Sequence, residues 1–207
     1  MSAWTPCPYV ADYPFDAERV HAMWPQLHAV DAEPLPGSDA LMQGWALFHS
    51  GRFHEAAETG LALGVEGWSL ANRATAAQAA LVEPNENVRL DLFKRVHLQA
   101  SALTLQRPQL ANAWYWQGYA LARYAQGIHV ARALAQGLGA QVGLALRTTL
   151  ALDANHAYAH VALGAFEAAV IDKLGPLVGA ITYGVTAESA LNHLQQAQRL
   201  APDSPAV

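Results

Sequence analysis

The stretch Trp114-Tyr115-Trp116-Gln117-Gly118-Tyr119-Ala120-Leu121 sets the reading of this chain. It carries bulky aromatics around one glycine and no strand-like alternation. On a helix, Gly118 is a notch where a second helix approaches closely, because no side chain keeps the two apart. Three more segments share the notch. They are Ala40 to Leu47 with Gly44, Trp68 to Thr75 with Asn72, and His160 to Gly164 with Gly164 itself. The four small positions are spaced by about 28, 46 and 46 residues, inside the window that marks stacked helical hairpins. The residue four positions earlier in each (Ala40, Trp68, Trp114, His160) is placed to fill the space between hairpins. Pro84 precedes a long helix up to Leu105, and Pro202 stops the last second helix, since proline cannot continue the hydrogen-bond ladder.

Outward from these segments the helical signal continues. Alanine, the best helix former, is the commonest residue, and β-branched residues are sparse. Val20, Met23, Leu27 and Val30 recur at helical steps behind Asp16, which predicts a capping helix within residues 16–30. Pro34, Pro36 and Gly37 then break the chain. The expected organisation is an N-terminal segment with its capping helix over residues 1–36, followed by about four degenerate repeats over 37–207.

Composition narrows the function classes. Hydrophobic residues make up 53% and charged residues 14%, against a usual charged share of about 25%, so an extended disordered chain is excluded. A net charge of −5 argues against a protein that grips nucleic-acid phosphates. The single cysteine, Cys7, leaves no internal disulfide framework and no Cys-rich zinc module. The N-terminus has no basic or apolar leader pattern and holds Asp12, Asp16 and Glu18, which predicts a cytoplasmic location. The apolar stretch at residues 174–187 is interrupted by Gly175, Pro176, Gly179 and Gly184 and falls short of the ~20 residues a membrane-spanning helix needs.

The four segments resemble tetratricopeptide repeats, in which a Trp, a Leu-Gly, a Tyr, small residues and a final Pro recur. Residues 102–108 running into Trp114 and Gly118 carry the pattern, as do 149–153 running into Ala159, Leu163 and Gly164. Ala190, Leu194, Ala197, Leu200 and Pro202 match a second helix and its stop. The resemblance covers about residues 40–202. It implies an all-α fold, a right-handed solenoid of antiparallel helical hairpins. Ala154 stands where the pattern has proline, and Ala40 and His160 where it has Trp. Two hairpins carry insertions, around residues 127–143 and 172–186. That arrangement is similar to the regulator of microtubule dynamics proteins and to the T-component of bacterial tripartite transporters.

No motif points to catalysis. Gly137-Leu-Gly139-Ala-Gln-Val-Gly143 has its third glycine one residue late for a dinucleotide fingerprint, and no Gly-Lys-Ser/Thr follows. There is no Gly-x-Ser-x-Gly elbow, and Cys7 has no base beside it. The chemical candidate is Asp153-x-x-His156-x-x-x-His160. Histidines four apart share a helix face and suit a metal, with Asp153 or Glu167 adding oxygen. Ala157 stands where a metal-peptidase helix has its catalytic Glu, so the enzyme reading falls behind a non-enzymatic one without a cofactor.

In tetratricopeptide proteins the first helix of each hairpin lines a concave groove. By that resemblance the groove face is Trp45, Phe48, His49, Arg73, Asn112, Tyr115, Tyr119, Arg123 and Tyr158. Tyr, Trp and Arg often carry binding energy at interfaces, and Asn can pair with an extended backbone. The leading expectation is a scaffold holding a partner protein or peptide in that groove. The alternative is a small-ligand accessory protein, with residues 174–186 closing over a cavity. The chain's end directly after the last repeat predicts self-association through an uncapped final hairpin.

Overall fold

The computed structural model describes residues 4–10 and 12–204. Among them are eleven α-helices and no strand: α1 (Ala17–Leu27), α2 (Asp39–His49), α3 (Phe53–Ala62), α4 (Trp68–Ala77), α5 (Glu86–Gln106), α6 (Ala111–Gln126), α7 (Val130–Ala135), α8 (Leu138–Leu152), α9 (Ala157–Leu174), α10 (Pro176–Val178) and α11 (Ala187–Leu200). Turns of π-helix follow α4 at Gln78–Val82 and α10 at Gly179–Tyr183. The chain is all-α, and no helix among the described residues is long and apolar enough to cross a membrane.

Local chemistry sets several helix starts. The Asp16 carboxylate accepts from Arg19 N at 2.8 Å and caps α1, as its place in the sequence predicts. Ser38 caps α2 and Asn85 caps α5. Thr186 and Ser189 exchange side-chain and backbone hydrogen bonds at the start of α11, a capping box with serine at its third position. The stripe forecast for the first helix holds for Val20, but Val30 lies beyond the last turn. Trp24, not Met23, is the second buried anchor.

The long helices pack in chain order: α2 on α3, α3 on α4, α4 on α5, α5 on α6, α6 on α8, α8 on α9 and α9 on α11. In addition α2, α4, α6 and α9 touch one another in a row, making an inner layer. The notches at Gly118 and Gly164 open toward the second helix of each couple, and that at Gly44 toward α4 and α3. A Cβ on Gly118 would stand 3.0 Å from Leu146 Cγ and 3.1 Å from Ala145 Cβ of α8. One on Gly164 would stand 2.9 Å from both the Ala190 carbonyl oxygen and Leu194 Cγ of α11. On Gly44 it would meet Leu70 at 2.5 Å and Thr59 at 3.1 Å. Asn72 in α4 is fully buried in the fourth such position.

Two apolar clusters result. Val20, Trp24, Met42, Trp45 and Leu70 join α1 to the first hairpin. Phe93, Val96, Trp116, Leu146 and Leu163 hold the rest. The forecast insertions become structure: residues 127–143 hold α7 and the first turns of α8, and 172–186 hold the end of α9, α10 and the second π-turn.

Candidate functional site

After α1 the chain does not leave as a simple linker. Residues 28–33 run back along the inner layer and are held there by polar contacts from four helices. Arg73 of α4 forms a buried ion pair with Asp31. Asn112 of α6 donates from Nδ2 to the Asp31 carbonyl at 2.9 Å and to Glu33 Oε2 at 2.6 Å. Tyr158 N of α9 donates to the Val30 carbonyl at 3.2 Å, and Trp24 Nε1 donates to the Glu33 carbonyl at 2.9 Å. Ala32 accommodates the turn at φ +45°, unusual for a residue with a side chain.

Burial sets the charge states in this bridge. Desolvation drives His28 down to about 2, helped by the Arg73 and His49 charges, so its ring is neutral at physiological pH. Desolvation also drives His49 to about 4. It raises Glu33 to about 7, against the pull of hydrogen bonds from Ser69 and Asn112. Arg73 falls to about 10 by burial and stays cationic.

These contacts relocate part of the expected groove face. Trp45 is 1% exposed and Asn112 is 1% exposed, so both are core rather than groove lining. Trp45 packs edge-on against Trp24 and His28. His49 packs against His28, with the two Nε2 atoms 3.3 Å apart. The other six residues (Phe48, Arg73, Tyr115, Tyr119, Arg123 and Tyr158) share one concave trough beside the bridge.

The proposed metal ligands do not converge either. His156 is fully buried and caps α9: its Nδ1 accepts from Ala159 N at 3.0 Å, while Nε2 donates to Asn112 Oδ1 at 2.8 Å. Neither ring nitrogen keeps a lone pair for a cation. Asp153 Oδ1 accepts from Asn155 N. His160 faces His193 of α11, Nδ1 to Nδ1 at 2.9 Å. Among the described residues no three His, Cys, Asp or Glu side chains gather around one point.

The trough encloses about 560 Å³, within the range of small-molecule sites. Its floor is α4, α6 and α9. Its walls are the two insertions, with Ile128, Val130 and Leu134 on one side and Lys173, Leu174 and Tyr183 on the other. These wall residues, with Phe166, were not in the groove reading of the sequence. Leu174 and Tyr183 lie in residues 174–186, which the small-ligand alternative placed over a cavity, whereas Ile128, Val130, Leu134 and Phe166 belonged to no site reading of the sequence. Among the described residues no carboxylate lines the trough, whereas Arg73, Arg123 and Lys173 do.

A scan against protein-family models finds no match, and a search of curated proteins finds no relative.

Proposed function

We propose that the chain is a non-enzymatic binding module, a tetratricopeptide-like stack of helical hairpins that holds a small, largely apolar ligand in its trough. The carrying observation is the pair of insertions. A plain hairpin stack needs neither, and here both put apolar side chains around one 560 Å³ space. The inner row of α2, α4, α6 and α9 and the glycine notches support the repeat reading.

The groove for a partner peptide has less support. The side chains best suited to an extended backbone, Asn112 and Arg73, are occupied by residues 28–33 of the same chain. The test is a fluorescence titration with Nile red, a neutral apolar dye. Saturable one-site binding is expected. The exposed trough residue Ala165, changed to Trp, fills the space and lowers dye affinity at least tenfold while the melting temperature holds. Unchanged dye binding by Ala165→Trp overturns the reading.

A further inference from the structure

Three tyrosines form a row on the trough floor. The Tyr115 ring lies 5.7 Å from that of Tyr119 at 28° and 6.3 Å from that of Tyr158 at 23°. Arg123 stands one helical turn beyond Tyr119 on α6, and Arg73 of α4 lines the same trough.

Two features leave this cluster unfinished. Among the described residues, none of the three hydroxyls has a protein hydrogen-bond partner. Arg73 is neutralised by Asp31, but Arg123 meets no carboxylate there. It donates to Gln126 Oε1 at 3.4 Å and lies 5.7 Å over the Phe93 ring. Hydroxyl donors that no protein group satisfies, beside a cation that no carboxylate compensates, favour an anion that brings acceptor oxygens. Further along, the trough walls are apolar apart from Lys173 in the second insertion.

We propose that the trough takes an amphipathic monoanion, an apolar chain ended by a carboxylate, with its head among Tyr115, Tyr119 and Tyr158 beside Arg123 and its chain along the insertion walls. The inference rests on the ligand-trough reading above. At the tyrosine end one unpaired guanidinium with neutral donors matches a single negative charge, while Lys173 belongs to the wall of the second insertion. A phosphate head, near two charges, leaves one uncompensated.

The probes are dodecanoate, its methyl ester, dodecanol and dodecyl phosphate, each displacing Nile red from the wild-type chain. Dodecanoate is expected to compete at least tenfold better than the ester or the alcohol, and better than the phosphate. Tyr158→Phe, Tyr119→Phe and Arg123→Met each weaken dodecanoate about tenfold and leave the ester unchanged, with circular dichroism matching wild type. Equal competition by acid and ester, with the dye still bound at one site, overturns the anionic head and leaves the trough standing. Tighter binding of the phosphate overturns the carboxylate. If Nile red itself finds no site, the trough reading fails and this inference goes with it.

Discussion

Asn112 Nδ2 lies 2.9 Å from the carbonyl oxygen of Asp31, a residue 81 positions earlier in the chain. This single amide joins the end of the N-terminal segment to the middle of the helical stack. It also donates to Glu33 and accepts from His156, so its hydrogen-bonding capacity is nearly used up in a buried site. Truncation removes three bonds and leaves buried partners unsatisfied. Asn112→Ala is therefore expected to lose about 2–3 kcal/mol of stability, read from the urea unfolding midpoint. A loss below about 0.5 kcal/mol would show that residues 28–33 are not held by this bridge.

Asn72 offers the opposite case in the same residue type. It is fully buried on α4, and among the described residues neither its Oδ1 nor its Nδ2 has a partner. A buried amide without hydrogen bonds carries its desolvation cost with nothing in return. The equivalent positions hold Gly44, Gly118 and Gly164, so this site tolerates a small residue. Asn72→Ala is expected to be neutral or to add up to about 1 kcal/mol, the relieved desolvation outweighing a small void. Thermal melts of the two Asn→Ala variants side by side check the contrast in sign.

Two helical glycines separate close packing from mere presence. At Gly164 a methyl meets the Ala190 backbone oxygen, which cannot rotate away. Gly164→Ala is expected to lose about 1–3 kcal/mol, more than the ~1 kcal/mol gained by removing a glycine from a helix. At Gly143 the nearest obstacle is the Arg147 guanidinium, the far end of a flexible side chain, and Phe166 lies at 3.4 Å. Gly143→Ala is expected to gain about 0.5–1 kcal/mol. Denaturant midpoints that move in the same direction would refute the contact argument.

These pairs also show what the sequence could and could not reveal. The helical class and the notches at Gly44, Gly118 and Gly164 were legible because both depend on spacing along one helix, which the chain displays directly. The aromatic trough was half legible: the tetratricopeptide resemblance grouped Tyr115, Tyr119 and Tyr158, and the small-ligand alternative set residues 174–186 over a cavity, but nothing pointed to the wall made by Ile128, Val130 and Leu134. The bridge was not legible. Residues 28–33 read locally as the end of an amphipathic helix and the start of a linker, and nothing in them names Arg73 or Asn112 as partners. The same limit explains His156. Its spacing from His160 is that of a metal pair, while its actual task, capping α9, depends on where the backbone turns.

Proton linkage in the bridge is the last consequence. The folded pKa of Glu33, about 7, lies above the ordinary 4.5 of an unfolded glutamate. The folded state therefore binds the extra proton, and the stability this contributes is full below pH 4.5 and lost as pH rises through 7. The histidines act in the other direction. His28 at about 2, and His49 and His156 at about 4, lie below the ordinary 6.5. Their contribution is full above pH 6.5 and is lost on acidification toward their folded values. Wild-type stability should thus fall from pH 6.5 to 4.5 less steeply than the histidines alone require, because Glu33 offsets part of the loss. Glu33→Gln keeps an acceptor for Asn112 but removes the titration. The variant is expected to be more stable than wild type by about 3 kcal/mol at pH 8, with the difference closing toward zero at pH 4.5. Urea midpoints at pH 4.5, 6 and 8 measure it, and a difference that does not change with pH would mean that folding leaves the Glu33 pKa unshifted.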